Sequence, residues 1–252
     1  MAIDVLRRAK IASRAILDIE NWRQVLPLAA KGKSVTEIRL REGPIVSALP
    51  EVSLWPHFSD IWYHRSYTKH CPIPSQSVVV DIGANVGVFA LLASRTAHLV
   101  YALEPSSSNF SFLVSNTSQS KNVTPLNLAC SGFDGRASLD ISKDPVSFSL
   151  LTNGISHQQE QVDVVRLETF FERYGIERCD YLKLDCEGCE FEIILNSDAS
   201  LLNRISRIVM EYHDHLSAGF SHRDLVQRLT ALGFRTVVYN ANGTYGMIAA
   251  MK

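Results

Sequence analysis

The run Val78-Val79-Val80-Asp81-Ile82-Gly83-Ala84-Asn85-Val86-Gly87-Val88-Phe89 constrains this chain most, because it reads as a buried strand, a glycine turn and a helix start. Consecutive valines suit a parallel strand covered on both faces. Gly83 and Gly87 allow positive φ and close backbone approach where the chain turns. The free N–H groups of the helix that follows, with its dipole, favour a carboxylate or phosphate. The spacing is D-x-G-x-x-x-G and lacks the G-x-G pair on which a dinucleotide pyrophosphate settles. An acid at the strand end, Asp81, suits instead a ligand that carries an ammonium group beside its carboxylate. Seventeen residues past Gly87, the strand-like run Leu99-Val100-Tyr101-Ala102-Leu103 ends at Glu104-Pro105, where an acid would hold two ribose hydroxyls.

At 252 residues the chain can bury one full core. The expected division is an N-terminal extension over residues 1–75, with a helix, a hairpin and an aromatic lid-like stretch, and a ligand-binding domain over 76–252. Hydrophobic residues make 46% and charged residues 20%, a globular composition. The formal net charge of −1 lacks the basic excess by which proteins grip a nucleic-acid backbone. No apolar run reaches the roughly 18 residues of a membrane-spanning helix, so no integral membrane segment is expected. Residues 1–20 set Arg7, Arg8, Lys10 and Arg14 beside an apolar stripe of Val5, Ala9, Ala12, Ile16 and Ile19. That is an amphipathic helix, expected to pack on the domain and open to an oligomer contact. It lacks the apolar centre and cleavage site of a secretory signal. Five cysteines without such a signal read as reduced thiols in a cytoplasmic protein, and the sequons at Asn109, Asn116, Asn122 and Asn242 are expected to stay unmodified. Cys186 and Cys189 form a C-x-x-C pair near Cys179, but a zinc site wants a fourth ligand and no metal is expected.

Residues 34–49 alternate and break at Glu42-Gly43-Pro44, which reads as a hairpin. The aromatics Trp55, Phe58, Trp62, Tyr63 and Tyr67 read as packing residues of a lid or approach segment over 50–75. From residue 78 the pattern predicts strand 78–81, helix 86–95, strand 99–104, helix 106–119, strand 122–127 and a turn at 129–132. Residues 133–165 read as an inserted β-rich loop. Helix 167–174, strand 180–184, helix 189–196, strand 206–210 and helix 222–232 follow. Strands alternating with helices predict an α/β fold on a parallel sheet with right-handed crossovers. Ser221 with Asp224 predicts an approximate capping box, and Asn240-Ala241-Asn242-Gly243 joins two strands, near 235–239 and 245–250, into a closing hairpin. Such a hairpin makes the last strand antiparallel, where a dehydrogenase sheet would add a parallel one.

Asp185, Glu187 and Glu190 fall within six residues after a buried strand. Ligands of open α/β sheets bind outside the carboxyl ends of the strands, and Asp81, Glu104, Asp185 and the later Glu211-Tyr212-His213 all fall there. Glu190 reads as a solvated charge at a helix start, and Glu187 as either that or a cleft residue. S-adenosylmethionine meets both ends of the crevice, with a methionine for the glycine turn and a ribose for Glu104. His213 is a candidate base for a hydroxyl proton, since its reference pKa of about 6.5 lies near working pH. Asp185 is the rival base or acceptor anchor. A third arrangement has Asp185, Glu211 and His213 holding a divalent metal.

With D-I-G-A-N-V-G at 81–87, E-P at 104–105, K-L-D-C-E-G-C-E at 183–190 and E-Y-H at 211–213, the chain resembles the FkbM family of S-adenosylmethionine-dependent methyltransferases over about residues 35–250. The resemblance implies a class I methyltransferase (Rossmann-like) fold, a seven-stranded sheet with one antiparallel strand. It implies O-methylation of a hydroxyl on a natural-product, sugar or glycan-type acceptor, free or carrier-linked. It places Asp81, Gly83, Ala84, Asn85 and Gly87 on the methionine portion, Glu104 and Pro105 on the ribose, Asp185 beside the cofactor, and Asn116 and Ser131 near the adenosine. Cys186 and Cys189 depart from the aliphatic and alanine residues commoner in the family. Two other readings stand beside it. A module that binds an adenosine ligand without turnover has no need of Lys183, Asp185 and His213 together, and a nucleotide-dependent oxidoreductase would want the missing G-x-G-x-x-G.

Overall fold

The computed structural model describes residues 2–140, 150–151, 159–217 and 219–252. Helices α1 (Ala2–Asp18) and α2 (Trp22–Ala30) lead into the hairpin of β1 (Glu37–Arg39) and β2 (Ile45–Ser47), paired antiparallel as the alternation predicts. Helix α3 (Leu54–Ser59) runs on into a π-helical turn at Asp60–His64. The apolar sides of these elements share one core: Ala15, Ile19, Ile38, Val46 and Phe58 are buried together with Val86 of the glycine turn and with Val88 and Leu91 just past it. The N-terminal segment therefore buttresses the turn on which the site depends.

Strand β3 (Val78–Ile82) passes through the turn into α4 (Val88–Ser94), β4 (Leu99–Leu103), α5 (Ser107–Thr117) and β5 (Val123–Leu126). The valine run is continuous because successive side chains enter opposite cores, Val79 with Phe89 and Tyr181, and Val80 with Leu182 and Phe170. A smaller sheet follows, made of β6 (Ala129–Ser131), β7 (Gly135–Asp140), β8 (Leu150–Leu151) and β9 (Gln159–Arg166) in the order β6-β9-β7-β8. Residues 129–131, expected as a turn, are a strand: all three are buried and pair parallel with β9, a tertiary partner that local sequence does not announce. Much of the loop expected over 133–165 lies outside the described residues.

The chain returns through α6 (Leu167–Arg173), β10 (Tyr181–Leu184), α7 (Cys189–Asn196) and the short α8 (Ala199–Leu202) to β11 (Arg207–His213). It closes with α9 (His222–Ala231), β12 (Arg235–Asn242) and β13 (Tyr245–Met251). The seven-stranded sheet has the order β12-β13-β11-β10-β3-β4-β5. Strand β13 runs antiparallel to both its neighbours, and the pairs from β11 across to β5 are parallel. The capping box of Ser221 and Asp224 is present. Two ends differ from expectation. Strand β11 runs three residues past 210 because β13 pairs it from Arg207↔Met251 to His213↔Tyr245, which puts Glu211 and His213 on one face. Strand β12 continues through Asn240 with a register shift, Asn240 taking φ 51°, so the hairpin turn shrinks to Gly243-Thr244. No described helix is long and apolar enough to cross a membrane.

Candidate active site

The turn after β3 has three residues in left-handed conformation, Gly83 at φ 75°, Asn85 at 50° and Gly87 at 90°. Gly83 is obligatory: a Cβ there would lie 1.8 Å from the Asp185 carbonyl oxygen, because the loop after β10 crosses directly over it. The amides of Gly83 and Ala84 donate to the Leu103 carbonyl at 3.0 and 2.9 Å, tying the turn to the end of β4. The Glu104 carboxylate completes the tie, accepting from Asn85 N at 2.8 Å and from Ser106 N at 3.0 Å. Glu104 is 5% exposed. Burial pushes its carboxyl up to about 7, against the lowering effect of those two amides.

Asp81 and Lys183 sit opposite each other across β3 and β10. Asp81 is fully buried and Lys183 3% exposed, with Nζ 3.1 Å from Asp81 Oδ1 and donating to the Gly83 carbonyl at 2.6 Å. Burial works against the lysine charge, but Asp81 and Asp185 outweigh it and hold the Lys183 pKa above its ordinary value. Here the structure corrects the expectation: Asp81 does not reach the cavity, because the chain's own ammonium group stands on it. Cavity residues at this end are Gly83, Ala84, Asn85, Glu104 and Pro105, with Asn109 of α5 beside them.

The opposite wall is acidic, formed by Asp185, Glu187 and Glu211. Asp185 Oδ2 accepts from the Tyr67 hydroxyl at 2.7 Å and lies 3.7 Å from Lys183 Nζ. Burial raises the Asp185 carboxyl, yet Lys183, Tyr67 and His213 together hold it below the ordinary value. Burial and the charges of Asp185 and Glu187 push Glu211 up to about 8, with His213 opposing. Glu190, expected in solvent, is fully buried instead: it accepts from Cys186 N at 2.9 Å and Gly188 N at 2.8 Å, capping the loop whose Glu187 takes φ 53°. His213 is 7% exposed and stands behind this loop, Nε2 3.5 Å from Glu187 and Nδ1 3.5 Å from Glu190. Burial lowers its pKa, but Glu190, Glu187 and Asp185 more than reverse this and push it up to about 9. Those carboxylates favour the imidazolium form, a departure from the reference value of about 6.5 on which the base reading rests.

Two residues expected near the ligand lie outside the cavity lining. Asn116 is a clamp, its amide donating to the Ser47 and Val86 carbonyls at 2.9 and 2.8 Å while its oxygen accepts from Ser47 N. Ser131 donates to Glu192 at 2.5 Å and is 2% exposed. Gly87 caps α4 rather than facing the cavity. Conversely, His57 and Ile61 of the N-terminal segment line the cavity, and Tyr67 holds Asp185 from 118 residues away, a separation at which sequence carries no signal. All five cysteines are free.

A seven-stranded sheet with one antiparallel strand, and a cavity at the carboxyl ends of β3, β4, β10 and β11, define the Rossmann-like class I methyltransferase fold. Residues 81–236 match the Methyltransferase FkbM domain, and the chain belongs to that family. It is 28% identical over 208 residues to Methyltransferase 1 of Beauveria bassiana, covering 71% of this chain and 82% of that one. It is 25% identical over 240 residues to the AMB antimetabolite synthetase AmbE of Pseudomonas aeruginosa, covering 77% of this chain but only 10% of the synthetase, so it spans about a tenth of that relative's length. The crystal structure of the methyltransferase FkbM from Methylobacillus flagellatus superposes with TM-score 0.51 at 12% identity, over 77% of this chain and 48% of that one.

Proposed function

We propose that the chain is an S-adenosylmethionine-dependent methyltransferase that acts on a hydroxyl oxygen of a natural-product, sugar or glycan-type acceptor. The observation that carries this reading is the buried Glu104 carboxylate, held at the end of β4 by the Asn85 amide of the glycine turn, so that one acid borders both the turn and the cavity. The donor set fits the cofactor: Glu104 meets the ribose hydroxyls beside Pro105, and the backbone of Gly83, Ala84 and Asn85 meets the methionine end. Asp81 and Gly87 serve indirectly, the first by anchoring Lys183 under Gly83 and the second by opening α4. When bound, S-adenosylmethionine supplies an electrophilic methyl on a cationic sulfonium. Acidic walls at both ends suit that charge.

Asp185 faces the acceptor hydroxyl, since it lines the cavity and is held in place by Tyr67. His213 stands behind it and fixes Glu187. A relative named an antimetabolite synthetase is in keeping with a natural-product acceptor. Calorimetry with S-adenosylhomocysteine and with NAD tests the cofactor, and a screen of hydroxylated metabolites with methyl-labelled S-adenosylmethionine tests the transfer. Binding of S-adenosylhomocysteine with label appearing in an acceptor is expected. Tight NAD binding without S-adenosylhomocysteine binding would sink the reading, and cofactor binding with no transfer to any acceptor would favour a non-catalytic module.

A further inference from the structure

We propose that Asp185, Glu211 and His213 form a site for a divalent transition-metal cation at the acceptor end of the cavity. One ligand atom from each lies within 4.8 Å of the other two. Ligands at about 2.1 to 2.2 Å from an ion stand about 3.0 to 3.5 Å apart when adjacent and about 4.2 to 4.4 Å when opposite, so side-chain rotations that draw the atoms together by about 1 to 2 Å close the set. The topology makes the cluster: Asp185 follows β10, and Glu211 and His213 share one face of the adjacent strand β11.

Two further observations point to a ligand. The Glu211 carboxylate lines the cavity, and among the described residues it has no hydrogen bond and no close ion pair. His213 is buried with Nδ1 making no hydrogen bond, its carboxylate neighbours at 3.5 Å being in ion-pair range only. An imidazole with two carboxylates suits manganese, iron, cobalt or zinc rather than magnesium. The inference deepens the proposed function and rests on it for its consequence, in which a cation here would orient and polarise the acceptor oxygen.

The test is titration of metal-free, full-length protein with MnCl2, read by loss of the electron paramagnetic resonance signal of free aqueous Mn2+. S-adenosylhomocysteine binding is measured by calorimetry on the same sample. One Mn2+ per chain is expected. Glu211→Gln and His213→Gln should each weaken it by about tenfold or more, with S-adenosylhomocysteine affinity within about threefold of wild type. An undiminished free-ion signal at about 1 mM Mn2+, in protein that binds S-adenosylhomocysteine, overturns the site. Wild-type Mn2+ affinity in Glu211→Gln does the same. Protein that binds Mn2+ but not S-adenosylhomocysteine upholds the site and counts against the methyltransferase reading alone.

Discussion

Glu104 makes the cofactor end titratable in a range where most carboxylates are not. Its carboxyl is pushed from an ordinary value of 4.5 up to about 7, so at pH 8 it is about nine-tenths ionised and at pH 6 about one-tenth. Two ribose hydroxyls donate best to the ionised form, and S-adenosylhomocysteine should bind about tenfold more weakly at pH 6 than at pH 8, which corresponds to about 1.4 kcal/mol. The unliganded protein should respond in the opposite sense. With the folded pKa above the unfolded one, the stability contribution is fully present below pH 4.5 and is lost as pH rises through about 7, a change on the order of 3 kcal/mol. Glu104→Gln removes the charge and leaves one of the two amides, Asn85 N or Ser106 N, facing an NH2 group. It should weaken S-adenosylhomocysteine by about 1.5–3 kcal/mol, roughly 10- to 150-fold, and flatten both pH dependences. Calorimetry at pH 6, 7 and 8 with thermal melts across the same range decides it. Affinity independent of pH in the wild type, or an unchanged pH slope in Glu104→Gln, would refute the assignment of the ribose to this residue.

Lys183→Met strands the buried Asp81 charge and should cost about 3–5 kcal/mol by chemical denaturation, while the double variant with Asp81→Asn should recover a large part of it; a single variant as stable as wild type would show that the pair contributes nothing. Gly83→Ala forces a Cβ to 1.8 Å from a backbone oxygen at φ 75°, and should yield insoluble protein or one without S-adenosylhomocysteine binding, where retained binding would contradict the crossing of the two loops. His213→Ala, which removes a support of Glu187 and a ligand of the proposed cation site, should leave S-adenosylhomocysteine affinity within about threefold and lower turnover on an identified acceptor by about 10- to 100-fold, and wild-type turnover would remove His213 from the reaction.

What local sequence makes legible is the part of the site built from consecutive residues. The glycine turn, the acid at the end of β4 and the acidic loop after β10 follow from strand-to-helix spacing and from the position of strand ends in an α/β sheet. Sheet register is different in kind. It pairs Lys183 with Asp81, and so turns an expected ligand contact into an internal ion pair. Pairing with β13 extends β11 until Glu211 and His213 share a face. The same distinction explains Glu190, whose helix-start position suits a solvated charge until tertiary burial gives it two loop amides and His213. Tyr67, from a segment outside the family match, reaches Asp185 from a place where its ring packs edge-on against Phe89 of α4 and its carbonyl accepts from the Tyr181 hydroxyl. Charged residues read from sequence as a crowd of acids thus divide in the fold into two groups. Asp81 and Glu190 are held inside the chain, by Lys183 and by His213 with two loop amides, whereas Asp185, Glu187 and Glu211 border the cavity and share Lys183 and His213 as their cationic neighbours.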